Sequence, residues 1–223
     1  MATEPINSSS SVGEQSGDAE FHERLTRARQ GETEYLGELL QWYGNYLSIL
    51  ASTQLDQRLR RRVNPSDVVQ ETMLAAHRDF ADFRGQSQGE LLCWLRTILI
   101  HTLHRTSAKH VKVAKRDIRR EVSIDEVSNR IEGSATNLAA MLPGRMESPS
   151  SPMQQRERCV EAANQLSQLR PQYRDVIVYR VLQGLSFTQI ADKMDRTEGA
   201  VRMLWLRSLQ AYKLRGESLD GES

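Results

Sequence analysis

The chain has only two cysteines, Cys93 and Cys159, far apart and with no other cysteine beside either. A zinc site needs clustered Cys and His ligands, and the five histidines do not supply that spacing. Isolated thiols of this kind read as reduced, buried hydrophobes. Long apolar runs are also missing. No stretch is long enough to cross a bilayer, and the N-terminus lacks the apolar core of a secretory signal. The expectation is a cytoplasmic protein with no membrane insertion, no metal and no cofactor. An excess of one charge is absent as well: 30 Lys and Arg stand against 29 Asp and Glu, a net charge of +1. Nothing global therefore announces a nucleic-acid partner. Strand-type alternation does not persist anywhere, which leaves the all-α class.

The neutral average conceals segregation. Met1 to Glu20 contains four acidic residues and no Lys or Arg, and the tail after Arg215 is acidic again. Between Arg105 and Arg120 stand seven Lys or Arg and one Asp. Opposite charge blocks in a neutral chain imply a basic working surface.

With 223 residues, the chain suits one large domain or two small ones. Residues 1–20 are polar and Ser-rich and predict a disordered acidic tail. From Phe21 the pattern is helical. "EYLGELLQWYGNYLSIL" puts Tyr35, Leu36, Leu39, Tyr43, Tyr46, Leu47 and Leu50 on one broad face. "NPSD" then reads as a helix start: Asn64 as cap, Pro65 at the first position, and Asp67 where a capping-box acid belongs. Val69, Met73, Ala76, Phe80 and Phe83 follow as its buried stripe. "RGQSQGE" marks a loop, and a long helix begins near Glu90 with Leu91, Leu95, Ile98, Leu99 and Leu103 facing inward. Residues 121–151 are small, polar and Pro-containing and predict a flexible linker. Helix resumes with Ser151 as cap and Pro152 at the first position, and Gly184 stops the helix of "PQYRDVIVYRVLQG". The layout is two small helical domains, 21–120 and 152–214, joined by the linker, with an acidic tail over 215–223.

"LSFTQIADKMDRTEGAVRMLWLRSLQAYK" carries the sharpest signal. In a helix-turn-helix the first helix braces the second, which lies in the DNA major groove. Ser186 caps the first helix, with Ile190, Ala191 and Met194 facing the core. Thr197 caps the second, with Val201, Trp205, Ser208 and Leu209 returning to the core. Arg196, Thr197, Glu198, Gly199, Arg202, Met203 and Arg207 are left for a duplex. Asp195 stands where such turns usually carry glycine, a position needing left-handed geometry. The competing reading is an ordinary helical hairpin with solvated cations.

Two further surfaces lie in the first domain. Trp94, Thr97, His101, Arg105, Ala108, Lys109 and Lys112 fall at steps of three or four opposite the apolar face of their helix. An aromatic followed by cations can stack a base while tracking a backbone; the plainer alternative is a core tryptophan beside a solvated face. The loop bearing Arg84 and Gln86 lies directly before Trp94, where binding loops belong. Asp67, Gln70, Glu71 and Leu74 form an acidic, polar patch suited to a basic protein partner. An enzyme acting on nucleic acid would need paired carboxylates at metal spacing or an activated nucleophile. Glu32 with Glu34 and Asp79 with Asp82 read as solvated surface, and His101 with His104 lacks a third ligand. No enzymatic activity is expected.

Taken in order, these segments resemble a bacterial RNA polymerase sigma factor of the extracytoplasmic-function type, in the sigma-70 family. "NPSDVVQETMLAAHRDFADFRG" is similar to the region 2 helix that docks on core polymerase. "ELLCWLRTILIHTLHRTSAKH" is similar to the helices that open and read the −10 element. "LSQLRPQYRDVIVYRVLQGLSFTQIADKMDRTEGAVRMLW" is similar to region 4, which reads the −35 element. The resemblance implies that Asp67, Gln70, Glu71 and Leu74 meet polymerase. It implies that Arg84, Gln86, Trp94, Thr97, His101, Arg105, Lys109 and Lys112 hold melted −10 DNA. Arg196, Thr197, Glu198, Gly199, Arg202, Met203 and Arg207 would hold the −35 duplex. The implied partners are core RNA polymerase, through its largest-subunit clamp and flap regions, and promoter DNA, with control by an anti-sigma factor, by phosphorylation or by abundance left as alternatives. The sequence departs from the family at Leu204 and Leu206, where many relatives carry a basic residue and a histidine. That departure shifts the expected −35 contacts toward Arg202 and Arg207. The alternative is a helix-turn-helix regulator that never joins polymerase.

Overall fold

The computed structural model describes residues 10–55, 63–113, 123–141 and 152–220, and among them it contains ten α-helices and no strand. They are α1 (Ser10–Arg29), α2 (Thr33–Trp42), α3 (Gly44–Gln54), α4 (Pro65–Asp79), α5 (Gln88–Val113), α6 (Ile124–Ala139), α7 (Pro152–Ser167), α8 (Pro171–Ile177), α9 (Phe187–Met194) and α10 (Glu198–Asp220). The all-α expectation holds. None of these helices is long and apolar enough to cross a membrane.

The organising element is α3. Tyr46, Leu47, Ile49, Leu50 and Ala51 are all buried, so its apolar residues point in several directions rather than along one stripe. A helix of that kind must be surrounded. Helices α2, α4, α5, α6 and α7 all pack against it. Each fully buried leucine there contributes about 1.5–3 kcal/mol of transfer free energy. The segment expected as one continuous helix is broken at Tyr43 (φ −99°, ψ 0°), where α2 ends and Gly44 opens α3. The bend lets both helices bury the broad apolar face that one straight rod would have turned partly to water.

Three boundaries differ from the sequence expectation. Helix α1 begins at Ser10, inside the segment expected as disordered. Phe21, Leu25 and Ala28 are buried at helical spacing and anchor it, and adding residues to an existing helix costs little. Helix α10 likewise continues to Asp220, into the expected C-terminal tail. The third difference is the largest. The expected linker contains α6, capped by Ser123, whose hydroxyl accepts from the Glu126 amide at 3.1 Å. Val127, Ile131, Ser134, Ala135 and Leu138 form its buried stripe. The small residues that read as linker are those that let α6 approach α3 and α7 closely. Residues 142–151, including the Ser151 cap, lie outside the described residues.

Polar contacts tie α6 to both sides. Arg96 on α5 is buried and donates to Glu132 at 2.7 Å. Ser134 donates to the Thr53 hydroxyl at 3.2 Å, Asn137 to the Val181 carbonyl at 3.3 Å, and the Cys159 thiol to the Ala135 carbonyl at 3.2 Å. Gln183 donates to the carbonyls of Ser52 and Thr53, at 3.3 and 3.1 Å, satisfying acceptors that the end of α3 would otherwise leave open. Cys93 and Cys159, read from sequence as unrelated, both line one cavity of about 240 Å³ with Arg96 and Glu132. Burial pushes the Cys159 thiol up to about 11.

In the first domain the cap of α4 forms as expected: Asn64 Oδ1 accepts from the Ser66 amide at 3.2 Å, and Pro65 opens the helix. The buried stripe keeps Ala76, Phe80 and Phe83 as expected but sits one residue off at its start. Val68, Thr72, Ala75 and Ala76 are buried, whereas Val69 and Met73 are half-buried. On α5, Leu91, Leu95, Leu99 and Leu103 are buried as expected, and Ile98 is only partly so.

If α6 is part of the core, Ile131→Ala should destabilise the chain by about 2–5 kcal/mol, as large-to-small core changes do. Urea denaturation followed by circular dichroism measures this. A change within error would make α6 peripheral.

Candidate nucleic-acid interface

The C-terminal helix pair is built from local chemistry. The Ser186 hydroxyl accepts from the Gln189 amide at 3.2 Å, while the Gln189 side chain accepts from the Ser186 amide at 2.8 Å. This reciprocal capping box fixes the start of α9. Before it, the helix begun by α8 continues as a π turn over Val178–Leu182 and ends at Gly184, whose φ of +66° suits glycine. Between α9 and α10, Asp195 adopts φ 53° and ψ 53°, the left-handed conformation anticipated for it. It is the sole non-glycine with positive φ among the described residues. Thr197 then caps α10 by accepting from the Ala200 amide at 3.3 Å.

The inward face of the pair follows the expectation in most places. Ile190, Ala191, Val201 and Ser208 are buried, and Met194 and Trp205 are half-buried. Leu209 is a correction: it is 38 % exposed, because the inward register of α10 passes through Leu204, Ser208 and Tyr212 instead. Leu204 is therefore a core residue, unavailable to a ligand.

The outward face carries Arg196, Thr197, Gly199, Arg202, Met203 and Arg207 as exposed residues, with Glu198 half-buried. Arg202 donates to Glu198 Oε1 through Nε (3.1 Å) and Nη2 (2.6 Å), and Thr188 donates to Glu198 Oε2 at 2.9 Å. These bonds, Arg202 first, hold the Glu198 carboxyl below its usual range. The Arg202 guanidinium also sits 4.6 Å from the Phe187 ring centroid. Arg196 donates to Gln172 at 3.1 Å. The guanidiniums are thus pre-set by neighbours rather than waving in solvent, which lowers the entropy lost when a ligand is bound.

On α5 the second surface is present as a face. Thr97, His101, Arg105 and Lys109 are exposed in a row. The side chain of Lys112 lies outside the described residues. Trp94 is half-buried, with its ring 5.1 Å from that of Phe83 and 6.3 Å from that of Phe80. Its ring supports the loop from behind more than it stands free, which favours the core reading of this residue. Arg84 and Gln86 are exposed on that loop.

The loop itself is fixed by a residue that the sequence reading passed over. Glu90 Oε2 accepts from the amides of Gln86 (2.8 Å) and Ser87 (3.0 Å) and from the Ser87 hydroxyl (2.9 Å). "SQGE" is a capping-box pattern and was the available signal. Gly85 is required there: a Cβ would stand 2.5 Å from Phe83 Cζ and 2.7 Å from Glu90 Cβ. Its carbonyl accepts from Arg29 at 2.6 Å.

Asp67, Gln70, Glu71 and Leu74 are all exposed on one side of α4, and Leu74 is 71 % exposed. Glu71 and Leu74 border a surface groove of about 510 Å³ that Arg105 and Lys109 also line. The fold thus brings Glu71 and Leu74 of the α4 patch, with Arg78 beside them, to one groove with Arg105 and Lys109 of the α5 row. Sequence spacing could not show this.

Comparison with known proteins fits this geometry. Residues 160–211 match the model of the sigma-70 region 4 family, which covers the second half of α7, all of α8 and α9, and α10 as far as Ala211. The chain is 26% identical over 197 residues to the ECF RNA polymerase sigma factor BldN of Streptomyces coelicolor. That alignment takes in 87% of this chain and 65% of BldN, so the chain spans just under two thirds of that relative. It is 29% identical over 180 residues to the ECF RNA polymerase sigma-E factor of Haemophilus influenzae, covering 80% of this chain and 85% of the relative. Together these matches make the chain similar to RNA polymerase sigma factors of the extracytoplasmic-function type.

The Glu90 carboxyl is held below its usual range, first by the Gln86 amide and then by Ser87. A carboxyl lowered on folding keeps its cap above the ordinary glutamate range and loses it as pH falls through the lowered value. Glu90→Gln should therefore speed amide hydrogen exchange at Gln86 and Ser87 at neutral pH, after correction for intrinsic rates. The unmutated chain should show that change only on acidification. Equal exchange in both proteins at neutral pH would mean that Glu90 does not order the loop.

Proposed function

We propose that the chain is a sigma factor of the extracytoplasmic-function type: it binds core RNA polymerase, directs it to specific promoters and helps open the −10 DNA. The observation that carries this is the conjunction of a region 4 helix pair with two separate exposed faces in the N-terminal half. A regulator acting without polymerase would use the helix pair and leave the α4 patch and the α5 row without a role.

In this reading each face has one task. Asp67, Gln70, Glu71 and Leu74 contact the clamp of the largest polymerase subunit, where Leu74 supplies an apolar anchor and the acids complement a basic surface. The helix pair meets the flap and the −35 duplex. Arg196, Thr197, Glu198, Gly199, Arg202, Met203 and Arg207 divide into phosphate contacts that set position and base-edge contacts that carry sequence. The Arg84–Gln86 loop, with Trp94 behind it, and the row Thr97, His101, Arg105, Lys109 and Lys112 hold the melted −10 strand.

Energetics explain why one chain carries all three. Extracting a base from the stack costs a few kcal/mol, and stacking on a protein returns about 1–3 kcal/mol per base. The exchange is near balance, so polymerase contacts must hold the bubble. Tethering weak sites raises the effective concentration of each for its target.

Geometry adds a requirement. Elements centred at −35 and −10 lie on the order of 85 Å apart along B-form DNA at about 3.4 Å per base pair. A compact chain of this length has a radius of gyration of roughly 17 Å. The packing of α6 and α7 against α3 therefore has to release on polymerase before both elements can be engaged.

Asp67→Ala combined with Glu71→Ala should reduce capture by purified core polymerase while leaving helix content unchanged. Undiminished capture would remove the docking assignment and favour a polymerase-independent regulator. Arg202→Ala should weaken binding to promoter duplex by roughly 1–3 kcal/mol if it reads a base. An equal loss on scrambled duplex, measured by fluorescence anisotropy, would demote Arg202 to a phosphate contact.

A further inference from the structure

Five large apolar side chains are exposed among the described residues, and four of them lie on α10: Met203 (50 %), Leu206 (58 %), Leu209 (38 %) and Leu214 (57 %). Met203 and Leu206 are three residues apart, so they share a face of the helix, and Arg207 and Gln210 continue that face at helical spacing. Leu204, between them, is turned into the core. Arg202 and Arg207 border the apolar pair on either side. From Gly199 to Arg215 the helix has no acidic residue, while Arg202, Arg207, Lys213 and Arg215 supply positive charge. Glu198, the acid at its start, is held by Arg202 and Thr188.

Leucine offers no hydrogen bond to a base edge, and methionine only a weak acceptor. The one apolar group displayed in the major groove is the C5 methyl of thymine. We infer that Met203 and Leu206 form a methyl-reading pair that selects thymine in the upstream promoter element, between flanking arginines that engage phosphates or guanines. This inference rests on the proposal that α10 reads that element. An exposed apolar strip can also mark a protein contact. Here the acid-free, cation-bordered helix face favours a polyanionic groove as the occupant.

The test uses the full chain assembled on core polymerase and a pool of duplexes randomised in the upstream element. The bound pool should fix at least one thymine. Replacing that thymidine by deoxyuridine deletes only the methyl and should weaken binding about fourfold, the factor expected for one buried methyl group. The variant carrying Met203→Ala and Leu206→Ala changes exposed positions only. It should assemble on polymerase normally and bind the thymidine and deoxyuridine duplexes alike. The inference is overturned if no thymine is fixed, if deoxyuridine is tolerated by the unmutated chain, or if the variant keeps the fourfold preference. Failure of the folded variant to assemble on polymerase would equally overturn it, by making the strip a protein contact. A bound pool with no shared upstream sequence is a different result: it would remove α10 as a promoter reader and the inference with it.

Discussion

Among the described residues, the packing of both halves depends on the need to surround α3. Its buried residues do not lie on one stripe, so a single neighbouring helix cannot shield it from water. Helices from both halves of the chain close over it: α4 and α5 from the first half, α6 and α7 from the second. The carbonyls at its end are met by Gln183, which lies just before the helix-turn-helix pair. The same apolar requirement that folds the N-terminal half thus also positions the C-terminal one.

Charge is handled differently inside and outside. Arg96 is buried and compensated by Glu132, and breaking such a pair would leave a charge in a poorly solvating interior. The surface arginines near the helix pair are half-committed instead. Arg202 rests on Glu198 and Phe187, and Arg196 on Gln172, with both guanidiniums at exposed positions where screening keeps the attachment weak. Such contacts hold a guanidinium in place yet are easily exchanged for a phosphate or a base edge. A pair like Arg96 and Glu132 resists that exchange, which suits a contact that holds helices together.

Much of this was legible because the signals are local. The Asn64 and Ser186 caps, the Gly184 stop, the left-handed Asp195 and the Leu91–Leu103 stripe depend on residues within a turn or two of each other. Capping, glycine geometry and helical period act over that range. The linker expectation failed for the complementary reason. Ser134, Ala135 and Ala139 look non-committal in sequence, and only the nearness of α3 and α7 makes small residues there a packing device. Leu209 turns outward and Leu204 inward because the inward register of α10 is set by what it packs against.

Helical class, the order of elements and the residues able to form a reading face were all legible along the chain, since periodicity and capping are properties of neighbours. Tertiary structure alone decided that Cys93 and Cys159 share a cavity, that Glu71 and Arg105 line one groove, and that Trp94 leans on Phe83. Those pairings join residues far apart in the chain, and they are fixed by how helices pack around a common core. No local pattern encodes that arrangement.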